Sequence, residues 1–280
     1  MLSRVFGAYS SDVRVMEHCC RTVRFTVRCV HQQSAPLLPN LVTQMVEIYT
    51  QHGQSCFLYL GSILVDEYAA DETCVGGLLA MMEAFTQPTF VLLTQPSGFR
   101  NHPDTVDDWF RLCTRFLQRA PVTFLQCSAL NTILECGLQA CMLDHKDANA
   151  AVLKFFQDLL DAGRRKEDRP DFETRKKLVT EIVDRIGPTL VANLITAAIF
   201  ILPHFMHHEV AETLHQVMAF DCAKFCVWLE TKLRALPTKN AGGTEAVSQQ
   251  QLVQFHKQLT TAHRTKELRT AIMDFSRFFS

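Results

Sequence analysis

The sequence predicts an all-α protein, a solenoid in which helix pairs repeat along the chain. Apolar residues recur at helical spacing through most of the 280 residues, whereas the alternation and βαβ spacing typical of strands are absent. A pattern that begins at His102 returns at His145, an offset of 43 residues. This offset matches the period of HEAT-type helical repeats, so we expect one array over residues 1–280 of about six helix pairs.

Composition narrows the class of protein without selecting a partner. The formal net charge is −1 and 48% of the residues are hydrophobic, so any charge-based recognition must be local. The 11 cysteines form no CxxC motif, which favours free, mostly buried thiols over a disulfide framework. The most apolar run, residues 190–202, is too short to span a bilayer and is bounded by prolines, so no membrane partner is expected.

Prolines, glycines and changes of pattern set the expected helix boundaries. We expect a turn over 33–40, a kink or split at Pro88, and a separation of two helices at Pro188. The loops at 162–171, which is charged, and at 237–245, which is glycine-rich, are predicted to be mobile. The expected helices cover residues 12–30, 41–51, 55–68, 74–93, 103–119, 122–143, 172–186, 190–202, 208–219, 222–236, 248–263 and 265–279.

The helix predicted over 12–30 carries a cationic stripe. At about 100° per residue, four arginines fall inside an arc of roughly 80°, and His18 extends the arc to about 120°. Glu17 is the single carboxylate within this arc, so a surplus of positive charge remains. Guanidinium groups suit bidentate contacts with phosphate, which predicts a polyanionic partner; a solvated helix face is the alternative. The cationic stripe consists of Arg14, Arg21, Arg24 and Arg28, with His18.

The remaining residues of this helix have simpler interpretations. Cys19 and Cys20 face away from the stripe and are predicted to be small core residues. Phe25 and Cys29 lie on the cationic side, where Phe25 could stack on a nucleic-acid base or pack against the next helix. We favour packing.

Catalytic and metal-binding motifs are absent from the sequence. His207 and His208, with nearby Glu212 and His215, lack the spacing of a metal site, and we expect capping or surface histidines. There is no GxSxG, phosphate-binding loop or dinucleotide motif. We therefore expect no enzyme activity, no cofactor and no metal.

Several long runs resemble the C-terminal part of the transportin-SR type of importin-β karyopherin, from about Val13 to the end of the chain. These runs, in order, are CCRTVRFTVRCV, VEIY, SCFLYLGSILVDEY, NHPDTVDDWFRLCTRFLQRAPVT, LDHKDAN and FHKQ. The resemblance implies a HEAT-repeat receptor that shuttles between cytoplasm and nucleus and imports serine/arginine-rich (RS) splicing factors. It also implies nucleoporin contacts in the whole protein. Because only the C-terminal part is matched, Ran-GTP would act through residues outside this chain. We expect this chain to be a fragment, a short isoform or an incomplete gene model of a longer karyopherin.

The resemblance also implies roles for particular residues. The arginine-rich helix of that family recognises phosphorylated RS segments, a role that carries over to Arg14, Arg21, Arg24 and Arg28; His18 replaces a further basic residue. The arginines of a bound RS segment would need counter-charges near the stripe. Acidic residues at one end of two predicted helices suit that role, and they are Asp66, Glu67, Asp104, Asp107 and Asp108. From the stripe alone, an RNA-binding helical repeat protein is the alternative, although the resemblance favours no direct contact with nucleic acid.

Overall fold

The computed structural model describes residues 2–239, 242–244 and 246–279, and helices dominate them. No β-strand occurs in these ranges, so the all-α prediction is confirmed. Short 3₁₀ segments cover His31–Leu37 and His204–Met206, and a π-helical turn covers Ala197–Ile201. The α-helices of the described ranges are α1 Leu2–Ala8, α2 Val13–Val30, α3 Leu38–His52, α4 Cys56–Tyr68, α5 Glu72–Leu93, α6 Gly98–Asn101, α7 Pro103–Arg119, α8 Pro121–Leu125, α9 Leu130–Ala140, α10 Lys146–Ala162, α11 Phe172–Thr196, α12 His207–Phe220, α13 Cys222–Arg234, α14 Gln249–Thr260 and α15 Thr265–Ser276.

The chain divides into two compact units, and the first covers Met1–Thr132. Its helices form two layers: α2, α4 and α7 pack side by side, while α3 packs on α5. Helix α4 is the inner helix predicted from its nearly continuous apolar sequence, and it contacts both α2 and α7. Phe57, Trp109 and Phe110 are fully buried between these helices.

The second unit, Ile133–Ser280, repeats the layered arrangement. Helices α10, α12 and α15 pack in one layer, and α11, α13 and α14 pack in the other. Phe155, Val191 and Phe225 are fully buried, and the rings of Phe255 and Phe275 stack with centroids 3.8 Å apart.

The 43-residue sequence repeat has a structural counterpart. Both copies start a helix, because His102 immediately precedes α7 and His145 immediately precedes α10. Nδ1 of His145 accepts a hydrogen bond from the backbone N–H of Ala148 at 3.3 Å, which satisfies one free donor of the first turn.

No helix boundary falls at Pro88 or Pro188. Helix α5 continues through Pro88, so the expected split was wrong, while the kink given as its alternative stays a prediction. Helix α11 continues through Pro188 and joins the segments expected at 172–186 and 190–202, so that separation was wrong. A helical proline leaves the carbonyl four residues earlier without its N–H donor. Ala84 and Asp184, which hold those carbonyls, are exposed, so water can replace the missing donor.

Two other boundaries also differ from prediction. The helix expected over 122–143 is divided, since α8 ends at Leu125 and α9 begins at Leu130. Ser128 in this break donates a hydrogen bond to Glu83 at 2.7 Å, a tertiary contact that competes with helix continuation. The turn expected over 33–40 is a 3₁₀ segment followed by the start of α3, where Pro39 occupies the first turn and tolerates helical geometry.

A buried arginine organises the charged loop at 162–171. Arg175 is 2% exposed, and its guanidinium donates hydrogen bonds to the carbonyls of Ala162, Arg165 and Lys166. Arg175 also pairs with Asp171 at 3.1 Å. The mobility predicted for this loop stays a prediction, and the loop expected at 237–245 includes residues 240, 241 and 245, which lie outside the described residues.

By length and composition alone, the segments Glu72–Leu93 and Phe172–Ile201 could cross a membrane. The second one contains the apolar run expected to be too short, because α11 does not stop at Pro188. Its most apolar window is 56% buried within the fold, and a core helix of a soluble protein meets the same criterion. This finding is weak support for a membrane span.

Candidate phosphate-binding groove

Helix α2 carries the cationic stripe and is held by its opposite face. Asp12 caps the helix, accepting a hydrogen bond from the backbone N–H of Val15 at 3.1 Å. The buried face consists of small and medium side chains, which are Met16, Cys19, Cys20, Val23 and Val27. The prediction that Cys19 and Cys20 are core residues is confirmed, and burial raises the pKa of Cys19.

A groove of about 390 Å³ lies between α2, α4 and α7. Arg21 and Arg24, with the acidic Glu17, line it from α2, and three aspartates line it from α7, with the start of α4 contributing the remaining side chains. It therefore brings part of the cationic stripe close to three of the predicted counter-charges. The lining residues are Glu17, Cys20, Arg21, Arg24, Ser55, Cys56, Tyr59, Asp104, Asp107 and Asp108.

Arg24 is held in place at the groove. Its Nη1 donates a hydrogen bond to the hydroxyl of Tyr59 at 2.7 Å, and its guanidinium carbon lies 4.6 Å from the ring centroid of Phe25. The Phe25 side chain is 55% exposed, so the expectation that it packs against the next helix was wrong. The ring of Phe25 instead contacts the guanidinium group of Arg24.

Arg28 is also engaged, through an ion pair. Its Nε lies 3.4 Å from a carboxylate oxygen of Glu67 at the end of α4. The adjacent Asp66 pairs with Arg119 of α7 at 2.7 Å. Asp66 and Glu67, two of the five predicted counter-charges, are thus paired within the chain and do not line the groove.

The acidic residues at the start of α7 form the other wall. Asp107 pairs with Arg111 one turn later, with Nε and Oδ1 2.7 Å apart. Asp108 is partly buried, and this burial raises its pKa to about 7, opposed by a hydrogen bond from Ser55 and reinforced by the charges of Asp107 and Asp104. The groove therefore holds a carboxyl group poised between its charged and neutral forms near neutral pH.

The stripe divides into two free and two held arginines. Arg14 and Arg21 are exposed, and in the described part of the chain neither has a carboxylate within 4.0 Å. Arg24 and Arg28 are the held pair. His18 is exposed on the same face.

Sequence reasoning missed Ser55 and Tyr59, which form the floor of the groove. Both belong to a polar series in an otherwise apolar helix, because residues 55, 59, 62 and 66 recur at helical spacing. That spacing was the signal that could have placed a polar face of α4 next to the stripe.

The histidines near α12 do not assemble a metal centre. The expectation of a capping or surface histidine was wrong for His207, which is fully buried with Nε2 3.2 Å from the carbonyl of Leu202. Burial lowers its pKa. No group of three or more His, Cys, Asp or Glu side chains suited to a metal ion occurs among the described residues.

The layered pairs of helices are typical of a helical-repeat protein. Residues 1–93 match the family model described as the Transportin-3/Importin-13 fourth TPR domain. Transportin MOS14 of Arabidopsis thaliana is 26% identical over 190 residues, which is 68% of this chain and 20% of that protein. Importin-13 of Gallus gallus is 27% identical over 162 residues, covering 57% of this chain and 17% of that protein.

A solved structure described as "Importin13 cytosolic state" covers 98% of this chain and 30% of its own chain, with a TM-score of 0.82 and 15% identity. This likeness confirms the predicted HEAT-repeat solenoid fold. Together the comparisons show that this chain is similar to transportin and importin-13 proteins. The chain spans about a fifth of the length of the first curated relatives, and the family model covers transportin-3 and importin-13 alike.

Proposed function

We propose that this chain is the cargo-binding segment of a nuclear import receptor, and that it binds phosphorylated RS segments of splicing factors along α2. The single observation that carries the proposal is the groove, in which Arg21 and Arg24 oppose Asp104, Asp107 and Asp108. A phosphorylated RS segment alternates phosphoserine with arginine, so it presents both charges at short intervals.

The basic wall supplies the phosphate contacts. Each phosphoserine carries a charge of about −1.5 to −2 and three strong acceptor oxygens. The free Arg14 and Arg21 can form new bidentate contacts without breaking an existing pair. Arg28 would have to give up its ion pair with Glu67 to bind phosphate, so we assign it a smaller net contribution to the binding free energy.

The acidic wall argues for a peptide rather than RNA. A nucleic acid brings phosphates without cations, and the acidic wall would repel it through Asp104 and through Asp108 in its ionised form. The guanidinium groups of an RS segment instead provide partners for Asp104 and Asp108, while Asp107 is shared with Arg111. Asp66 and Glu67, already paired, keep a structural role in this proposal. RNA binding through the same stripe is the second candidate.

At the level of the whole protein, the proposal implies shuttling between cytoplasm and nucleus. Ran-GTP and nucleoporins would then be partners of the longer receptor, as the resemblance of the sequence to karyopherins implies. We assign neither partner to the groove.

The test compares three fluorescent ligands with this chain: a phosphorylated RS peptide, its unphosphorylated form and a single-stranded RNA of similar length. The phosphopeptide should bind most tightly, and its affinity should fall as salt is raised because exposed charges are screened within about 8–10 Å. The variant R21A/R24A/R28A should bind the phosphopeptide with at least about tenfold lower affinity. Charge-assisted hydrogen bonds contribute about 1.5–3 kcal/mol each before solvent screening.

A matched control removes three exposed basic residues from the second unit, R164A/K177A/R185A, and should bind like wild type. Tighter binding of RNA than of phosphopeptide would favour the second candidate. Unchanged phosphopeptide affinity in a folded R21A/R24A/R28A variant would leave the stripe as a solvated face.

A further inference from the structure

We infer that Tyr59 and Phe25 are positioning residues that hold the guanidinium of Arg24 as a preformed binding site for one phosphate group. The inference rests on the proposed function, because it takes the ligand to be a phosphoserine. It adds two residues outside the cationic stripe and gives the four arginines unequal roles.

Three contacts fix Arg24 from two helices. The Tyr59 hydroxyl of α4 accepts the Nη1 hydrogen bond at 2.7 Å, and the Tyr59 ring lies 6.0 Å from the guanidinium carbon. The Phe25 ring of α2 lies 4.6 Å from the same carbon. The plane of the guanidinium is thus set by an aromatic face and a hydrogen bond rather than by a carboxylate.

Arg24 keeps unused hydrogen-bonding capacity in this position. A guanidinium has five N–H donors and stays charged, yet the structure gives Arg24 one acceptor, the Tyr59 hydroxyl. Nε is buried without a hydrogen-bond partner among the described residues. Although Asp104, Asp107 and Asp108 line the same groove, none lies within 4.0 Å of a guanidinium nitrogen of Arg24. The charge of Arg24 is therefore available to an external anion.

A phosphate suits this position better than a carboxylate of the protein. It carries three terminal oxygens and nearly two charges, so it can bind Arg24 and still reach the free Arg21 across the same groove. Fixing Arg24 in advance reduces the conformational entropy lost on binding, an advantage that the exposed Arg21 lacks.

The test is a double-mutant cycle on the whole chain, with a singly phosphorylated RS peptide as the probe. Tyr59→Phe removes the hydroxyl alone and should weaken binding about threefold to tenfold, the range expected for the net contribution of one ordinary hydrogen bond. In an R24A background the same change should cost nothing further. Phe25→Leu keeps an apolar side chain without a π face and should also weaken binding. Tyr9→Phe, at a 56% exposed tyrosine away from the groove, is the matched control.

The cycle separates positioning from a general structural effect. Equal losses from Tyr59→Phe with and without Arg24 would overturn the inference, as would wild-type affinity in the Tyr59→Phe variant. Thermal unfolding of each variant, expected to match wild type, checks that the fold is retained. If the wild-type chain binds the phosphopeptide no better than its unphosphorylated form, the proposed function fails first and this inference fails with it.

Discussion

Replacing Asp108 by asparagine should stabilise the folded chain at neutral and alkaline pH. Burial raises the pKa of Asp108 from 3.8 to about 7, so the folded state resists ionisation that the unfolded state accepts freely. As the pH rises from about 4 to 7, unfolding releases a proton and stability falls; above 7 the loss is complete and constant. An asparagine side chain cannot ionise, so the D108N variant avoids this loss.

The magnitude follows from the size of the pKa shift. A change from 3.8 to about 7 corresponds to roughly 4 kcal/mol at 1.36 kcal/mol per pKa unit. Asp108 borders an open groove where water screens its charge, so we expect a stabilisation of about 1–2 kcal/mol at pH 8 and a smaller one at pH 5.

Urea denaturation at pH 5 and pH 8 measures the difference directly. Asp168→Asn removes an exposed carboxylate from the second unit, away from Asp108, and serves as the control, with little change expected at either pH. A stability difference for D108N that is identical at the two pH values, or a less stable D108N at pH 8, would refute the reasoning. Under the proposed function, D108N should also bind the phosphorylated RS peptide more weakly than wild type, although it is more stable. The variant lacks a carboxylate that would pair with the arginines of the peptide.

Three further predictions concern His207 and Gly187 in the second unit and Gly76 in the first. His207 is buried with a lowered pKa, so stability should decline as the pH falls below about 6.5 and on through the folded-state pKa, and a His207→Gln variant should show a flatter pH profile in urea denaturation. Gly187→Ala should destabilise by about 1–3 kcal/mol because the added Cβ would overlap the Trp228 ring. Gly76→Ala, with open space around the new methyl group, should instead stabilise α5 by about 0.5–1 kcal/mol. Thermal unfolding measures the stability of both glycine variants.

The sequence was most informative where local pattern and burial agree. Helix α2 was predicted almost to the residue, because its apolar face is continuous and Asp12 marks its start. The helix boundaries at Pro88 and Pro188 were not predicted correctly, because proline on its own favours a break in a helix. Packing on both sides of each proline, with water near the exposed Ala84 and Asp184, allows the helix to continue.

The candidate site was predictable only in part for a related reason. The stripe is a property of one helix and can be read from its own residues. Its pairing with Tyr59 and Glu67, and its separation from Asp108 by a groove, depend on how three helices pack. Spacing along one helix does not report such distances, so the division into free and held arginines appeared only in the structure.

That division has a consequence for the kinetics of binding. Exposed charges act over distance and chiefly accelerate encounter, whereas contacts formed by fixed, partly desolvated groups chiefly slow dissociation. We therefore expect Arg14 and Arg21 to govern the association rate and its salt dependence. Arg24, clamped by Tyr59 and Phe25, should govern how long a phosphorylated segment stays bound. Arginines on one face of a single helix would then control separate steps of binding.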